Sequence, residues 1–177
     1  MRPFDLSRQL LALFAKTRLY VPDVDFSIVG LPLLDKLNSL DRLRVFADEF
    51  LSWTIDKDEI TLVLQAMSWK SISNFFEGAK VETPYRMIVF DIPMDLSVVG
   101  YLAQITRILA EAKIGIFAIS TFEKDAILVK SEHLQRAVDS LETFIAECRS
   151  IRSQQYSPLK KGKSVGLSFS HRRSPNI

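Results

Sequence analysis

The stretch that most constrains the fold of this chain lies between residues 85 and 130. Residues 85–92 alternate two apolar sets with a period of two, which predicts a strand. Pro93 ends this strand because proline cannot donate to a ladder. Apolar residues then recur at the spacings of one helix face: Val98, Leu102, Ile105, Leu109 and Ala112. Two β-rich runs follow, at 114–121 and 125–130, and a second helical pattern ends near Cys148.

The start of the first predicted helix contains an unusual glycine. Asp95 or Ser97 is the type of residue that caps a helix by accepting a free backbone N–H. Gly100 would then lie in the first turn, where glycine costs roughly 1 kcal/mol relative to alanine. Three explanations remain open: close approach of a ligand to the backbone, tight packing of helix on sheet, or a helix that begins later than predicted.

The run from Leu96 to Val129 resembles the second ACT domain of proteins with paired ACT domains. That group includes small bacterial proteins and the CASTOR-type arginine sensors of animal cells. The motifs that carry the resemblance are Val99-Gly100, Leu109-Ala110-Glu111-Ala112-Lys113-Ile114, and Ser120-Thr121-Phe122 followed by Asp125-Ala126-Ile127-Leu128-Val129. ACT domains are small βαββαβ units that bind amino acids or other small effectors where two units meet. The resemblance implies a second ACT domain at residues 85–150 and a homodimer that pairs two copies of residues 85–146.

Residues 21–84 predict a first, less regular unit. The predicted elements are a strand at 25–31, a helix at 33–43, a hairpin of 46–55 with 60–65, and a short helix at 71–76. This half is similar to the same family in Phe50-Leu51-Ser52-Trp53-Thr54 and in Asp58-Glu59-Ile60-Thr61-Leu62-Val63. The predicted fold class is therefore α+β, with two ACT-like (ferredoxin-like βαββαβ) units in tandem.

The two ends of the chain differ from its centre in composition. Residues 1–20 interleave apolar and basic side chains, which predicts a helical extension that packs on the domain; a transit peptide and a membrane-surface helix are alternatives. These residues contain no uninterrupted apolar region of the kind that a secretory signal has. Residues 151–177 predict a basic, disordered tail. Its last 21 residues, 157–177, hold five positive charges and no acid, so the remainder of the chain sums to −3. The tail lacks a dense basic run, which argues against a nucleic-acid partner.

Composition and missing motifs narrow the function further. The 177 residues are 47% apolar and 25% charged, which suits a globular core. A single cysteine cannot form an internal disulfide and fits a reducing compartment, so we expect a cytoplasmic location. No apolar run approaches the roughly 18 residues of a membrane span. The sequence has no phosphate-binding glycine loop, nucleophile elbow or metal-ligand cluster, and Cys148 is expected to be buried. We therefore predict no enzyme activity, cofactor or metal.

The resemblance implies a binding site at the helix opening and the following strand. On this sequence the matching residues are Asp95, Leu96, Ser97, Val98, Val99, Gly100, Tyr101, Leu102, Thr121, Phe122 and Asp125. Free N–H groups at a helix start favour a ligand's carboxylate. Asp125 matches the acid that meets the cationic side chain in arginine-sensing members. Asp95 replaces a glycine of those members, so it could repel a ligand's carboxylate or bind its ammonium. Lys124 could weaken the preference for a cationic ligand.

Each of these residues also has an ordinary structural use. Asp125 could close the turn between two strands, Thr121 is a common strand residue, and Phe122 could cover an apolar edge. Tyr101 could be partly exposed and line an interface. The predicted function is a non-catalytic, amino-acid-binding regulatory module with a small-molecule amino acid, a basic one among the candidates, at an ACT–ACT interface. A ligand-free assembly module is the alternative, and a nucleic-acid-associated regulator that uses the tail is a third hypothesis.

Overall fold

The structure, a computed structural model, describes residues 6–46 and 49–155. Helices in this part are α1 (Arg8–Lys16), α2 (Lys36–Leu43), α3 (Ala66–Ile72), α4 (Tyr101–Glu111) and α5 (Leu134–Gln155). Strands are β1 (Arg18–Tyr20), β2 (Phe26–Pro32), β3 (Ser52–Ile55), β4 (Glu59–Gln65), β5 (Lys80–Asp91), β6 (Phe117–Ser120) and β7 (Asp125–Lys130). Residues 151–155, which we predicted as part of the tail, belong to α5, and the rest of the predicted tail lies outside the described residues.

All strand pairings in this sheet are antiparallel, and the sheet has the order β3-β4-β2-β5-β7-β6. The twelve-residue strand β5 serves both halves of the sheet. Its first residues pair with β2, and residues 85–89 pair with β7. A register shift opposite Phe26 and Ile28 separates the two parts of the strand. The predicted fold class, α+β with ferredoxin-like topology, is confirmed.

The first half of the sheet is a complete βαββαβ unit. It runs β2, α2, β3, β4, α3 and the beginning of β5, with the ferredoxin-like strand order β5-β2-β4-β3. Its helix-facing core consists of Val29, Leu31, Leu43, Ile60, Leu62, Leu64, Trp69, Ile72 and Phe76. In the predicted hairpin, the carboxylate of Asp56 accepts hydrogen bonds from the N–H groups of Asp58 and Glu59 at 2.7 and 2.9 Å. The last helix begins at Ala66, five residues earlier than predicted.

The second half of the sheet includes β1, a strand that precedes the first half in the chain. Its other elements follow one another in the chain as β5, α4, β6, β7 and α5. Strand β1 pairs with the end of β5, where Arg18 lies opposite Asp91. We predicted only a helical extension at 1–20. A three-residue strand leaves no period-two pattern of its own, which explains why the sequence did not indicate it.

Helix α1 is part of the second half's core. Leu11 and Phe14 are buried there with side chains of α4, α5 and the sheet. The Phe14 ring stacks on Tyr101 at 4.5 Å and meets Phe144 edge-on at 5.1 Å. Helix α1 therefore packs on the domain, with Leu11 and Phe14 buried and Leu10 and Leu13 packed against the same core.

The second face of the sheet is also buried. Phe26 and Val63 from the first half form one cluster with Met87, Ala126 and Leu128 from the second. Ile88 and Phe90, the alternate residues of β5, point into the helix-facing core instead. This explains the two apolar sets in β5, since each set faces a different core. Among the described residues, no helix is long and apolar enough to cross a bilayer.

Candidate functional site

One cavity of about 230 Å³ lies where the loop after β5, the start of α4 and the β6–β7 turn meet. Its lining comprises Met94, Asp95, Leu96, Val98, Gly100, Tyr101, Leu102, Ala103, Ser120, Thr121, Phe122, Glu123, Lys124 and Asp125. Nine of the eleven residues of the predicted site are in this lining, and Ser97 and Val99 are not. The prediction missed Met94, Ala103, Ser120, Glu123 and Lys124, which neighbour predicted residues in the same loop, helix start and turn.

The loop before α4 is held by Asp95. Its Oδ1 accepts a hydrogen bond from the N–H of Ser97 at 2.8 Å, and its carbonyl accepts one from Val98 at 3.0 Å. The Met94 N–H donates to the carbonyl of Glu123 at 3.3 Å and so ties this loop to the β6–β7 turn. Hydrogen bonds from Ser97 hold the pKa of the Asp95 carboxyl below its usual range, so this carboxylate is charged at neutral pH.

Helix α4 begins later than predicted. Neither Asp95 nor Ser97 is its N-cap; that position belongs to Gly100, whose φ is +89°. This left-handed conformation is open to glycine and costly for residues with a Cβ, so the helix start itself explains the glycine. The first intrahelical bond runs from the Gln104 N–H to the Gly100 carbonyl at 3.1 Å.

The first turn of α4 forms one wall of the cavity. The N–H groups of the first three helical residues have no intrahelical acceptor, and Gly100 offers no side chain to cap them. These three residues, Tyr101, Leu102 and Ala103, all line the cavity. The site therefore has the positive end of a helix dipole at one wall.

Tyr101 connects this wall to the N-terminal segment. Its side chain is only 2% exposed, so the expectation of a partly exposed interface residue is wrong. Its hydroxyl lies 2.8 Å from that of Thr17, which donates to the Leu13 carbonyl at 3.0 Å. Burial raises the pKa of the Tyr101 phenol above its ordinary value, with a smaller contribution from the charge of Asp125. The phenol is thus a neutral donor that anchors α1 to α4.

The β6–β7 turn forms the opposite wall. The Thr121 N–H and hydroxyl both donate to the Lys124 carbonyl, at 2.8 and 3.0 Å, so Thr121 has the structural use of a turn residue. Ser120 and Asp125 form the closing pair of the strands, and the Ser120 hydroxyl donates to Asp125 Oδ1 at 2.6 Å. Asp125 therefore closes the turn and also lines the cavity.

The charges of the lining are mainly negative. Asp95, Glu123 and Asp125 contribute three carboxyl groups, and Lys124 is the one cationic residue in this lining. The Lys124 ammonium lies 2.6 Å from Asp91, outside the lining, and this contact raises the pKa of Lys124 and lowers that of Asp91. Its charge is thus largely compensated by Asp91, and the cavity favours a cationic group.

Three exposed apolar side chains lie in the cavity lining or directly next to it in the chain. Leu96 is 76% exposed, Val99 is 84% exposed and Phe122 is 80% exposed. One interpretation of the sequence was that Phe122 covers an apolar edge of its own chain, but its side chain does not do so. Large apolar side chains that cluster on a surface commonly mark a site of association.

Other candidate chemistry is accounted for by packing. Cys148 is fully buried in the helix-facing core of the second half, as predicted, and burial raises the pKa of its thiol to about 11. Within residues 6–46 and 49–155, no group of His, Cys, Asp and Glu side chains is arranged to hold a metal ion.

Comparison with known proteins places these residues in a domain family. A family model for the ACT domain matches residues 80–143. A protein of unknown function from Vibrio cholerae, VC0802, described as a possible transport protein, is 20% identical over 75% of this chain and 94% of its own, with a TM-score of 0.56. Protein Atu0741 from Agrobacterium tumefaciens is 23% identical over 75% and 89%, with a TM-score of 0.56. The regulatory subunit of aspartate kinase from Thermus flavus is 10% identical over 71% and 95%, with a TM-score of 0.54. No curated protein sequence matches significantly. Residues 80–143 are therefore an ACT domain, and the solved structures share the fold of the chain.

Proposed function

We propose that this protein is a non-catalytic regulatory module that binds an amino acid in the cavity at the start of α4. The observation that carries the proposal is the joint placement of an uncapped helix start and three carboxyl groups around one cavity. An amino acid has one anionic and one cationic group, and this lining offers a partner for each. Similarity to a regulatory subunit of aspartate kinase supports a regulatory role.

Recognition would divide the ligand between the two walls. Its α-carboxylate would accept hydrogen bonds from the free N–H groups of the first α4 turn. Its α-ammonium would meet Asp95, whose Oδ1 already accepts from Ser97 and whose second oxygen would accept from the ligand. A cationic side chain would meet Asp125 through a charge-assisted hydrogen bond. A basic amino acid fits this distribution of charge better than an acidic one.

The expected binding can be measured by thermal unfolding in the presence of each of the twenty amino acids. A ligand that binds only the folded protein stabilises it by about 2.7 kcal/mol at a hundredfold excess over Kd. We expect a basic amino acid to raise the midpoint, and Asp125→Asn to reduce that rise. Asp139→Asn is the matched control, because Asp139 lies on α5 and accepts from Gln135 there. A flat screen, or an equal loss in both variants, would refute the proposed site.

The exposed apolar side chains support a homodimer with the cavity at its interface. Leu96 and Phe122 line the cavity and Val99 lies between two of its lining residues; all three are exposed, and a second copy would cover both these side chains and the ligand. Phe122→Asp should weaken self-association at least tenfold, measured by sedimentation equilibrium, while the folded monomer keeps its circular dichroism spectrum. Met67→Asp, at a residue 75% exposed on α3, is the control. A wild-type monomer at high concentration would contradict this part of the proposal.

The second candidate is an assembly module that binds no small molecule. The three exposed apolar side chains favour it as strongly as they favour a ligand-bound dimer. Self-association that depends on Phe122, together with a flat amino-acid screen, would support this alternative. A cytoplasmic location is consistent with either function and remains a prediction.

A further inference from the structure

We infer that this protein has a further ligand site, on the second face of the sheet, and that the site binds an uncharged monosaccharide. The site is a cavity of about 350 Å³, and its lining consists of Ser52, Thr54, Thr61, Val63, Phe117, Ala118, Ile119 and Ser120. Among the described residues, it shares only Ser120 with the cavity at the start of α4. The inference therefore does not depend on the proposed amino-acid function.

Curvature of the sheet forms this cavity. Strands β3 and β6 are at opposite ends of the strand order, yet residues of both strands and of β4 line the same space. Phe117 and Ile119 of β6 pack against the cluster that includes Val63 of β4. The two ends of the sheet therefore approach each other across the second face, and the cavity lies between the two halves. Small-molecule sites occur preferentially at such boundaries, with volumes of about 300–1,000 Å³.

One wall of the cavity is a group of hydroxyls on β3 and β4. Ser52 and Thr54 are alternate residues of β3, so they share a face at a spacing of about 7 Å. Thr61 lies directly opposite Thr54 on β4. Within the described part of the chain, none of these three hydroxyls has a hydrogen-bond partner. Because a hydroxyl can both donate and accept, this wall offers three two-way partners to a ligand.

The facing wall is the free edge of β6. The Thr121 N–H donates to the Lys124 carbonyl, so Ser120 and Asp125 are a pair that exchanges no backbone hydrogen bonds. Because pairing alternates along an antiparallel ladder, the backbone N–H and C=O groups of Ala118 and Ser120 point away from β7. Strand β6 is the last in the described sheet, which leaves these groups open. All four residues of β6 line the cavity, as expected for a strand that presents its edge.

The composition of the lining selects an uncharged ligand. Among the described residues, this lining has no charged side chain, whereas the lining at the start of α4 has four. An ion that left water for this cavity would meet no opposite charge, which makes its transfer costly. The hydroxyls of a monosaccharide both donate and accept, which matches the two polar walls. Its C–H groups match the apolar side chains of Val63, Phe117 and Ile119.

Amide chemical shifts of the ¹⁵N-labelled 177-residue chain, titrated with sugars, test the site directly. Glucose, galactose and N-acetylglucosamine are the neutral probes, and glucosamine and glucuronate carry a charge on a similar ring. We expect saturable shifts with at least one neutral sugar, centred on residues 52–54, 61–63 and 117–120. The charged sugars should bind at least tenfold more weakly. No saturable shift with any neutral sugar, shifts centred elsewhere, or equal binding of a charged sugar would overturn the inference.

Removal of hydroxyls tests the wall formed by β3 and β4. Thr54→Val with Thr61→Val keeps the branched shape of both side chains and should weaken sugar binding at least tenfold. Thr143→Val makes the same change on α5, where the hydroxyl donates to the Asp139 carbonyl, and should leave the affinity unchanged. Ser52→Ala is a milder second variant, for which we expect at least threefold weaker binding. An unchanged affinity in the Ser52 variant and in the folded double variant would contradict the assigned site.

Discussion

At the scale of single residues, Gly100 is a position where the backbone conformation depends on the amino acid. Its φ of +89° is the conformation that turns the loop into α4. The nearest atom to a Cβ built there is Leu10 Cδ1 at 3.5 Å, an ordinary contact. Conformation, and not space, is therefore the reason for glycine at this position.

We expect Gly100→Ala to lower the free energy of unfolding by about 1–2 kcal/mol, the cost of a left-handed residue with a Cβ. Urea denaturation measures this change. Gly115→Ala is the matched control, because a Cβ at Gly115 meets nothing within 4 Å and its backbone is not left-handed. That control should be neutral or stabilising by about 0.4–1 kcal/mol. Equal effects of the two substitutions would show that the helix start tolerates a Cβ.

The family resemblance predicted which residues line the cavity better than it predicted the geometry of the helix start. Most of the lining belongs to two segments of the sequence: the Ser-Thr-Phe motif with Asp125, and the run before Gly100. The two segments meet because both lie at ends of elements on one edge of the sheet. The start of α4 was wrong by several residues, because Val98 has helical spacing but packs on the core from the preceding loop. The burial of Tyr101 depends on Phe14 and Thr17, more than eighty residues earlier, which local spacing does not encode.

At the scale of elements, α1 is part of the core of the second half, although it precedes the first unit in the chain. It supplies Leu11 and Phe14 to the core of a unit whose other elements, apart from the short strand β1, begin about seventy residues later. Arg149 of α5 also donates to the carbonyls of Ala15 and Thr17, at 3.2 and 2.8 Å. The apolar stripe of α1 was readable from the sequence, but its partner was not, because long-range packing leaves no local pattern.

Phe14→Ala should therefore cost about 3–5 kcal/mol of unfolding free energy, as expected for loss of a buried aromatic ring. Phe122→Ala makes the same chemical change on a side chain that is 80% exposed, and should alter stability by no more than about 0.5 kcal/mol. Chemical denaturation of both variants checks the difference. A small effect of Phe14→Ala would mean that α1 can detach while the remaining core stays folded.

At the scale of the whole molecule, the two halves are joined by more than one connection. They share β5, and side chains from both halves meet on the second face of the sheet, among them Val63 from β4 and Leu128 from β7. Shared burial of this kind favours a single cooperative unfolding transition. Cys148, the one cysteine in the chain, is fully buried in the second half and reports on the opening of that half.

Cooperativity between the halves can be tested by thiol labelling at pH 8. Because burial raises the pKa of Cys148 to about 11, only about one native thiol in a thousand is ionised, and an aromatic disulfide reagent should react chiefly through unfolding. Leu62→Ala removes a buried side chain from the first half and should cost about 2–5 kcal/mol. If the halves unfold together, labelling of Cys148 in the second half should accelerate roughly tenfold for each 1.4 kcal/mol lost. Unchanged labelling, with the destabilisation verified by urea, would mean that the second half keeps its structure while the first unfolds.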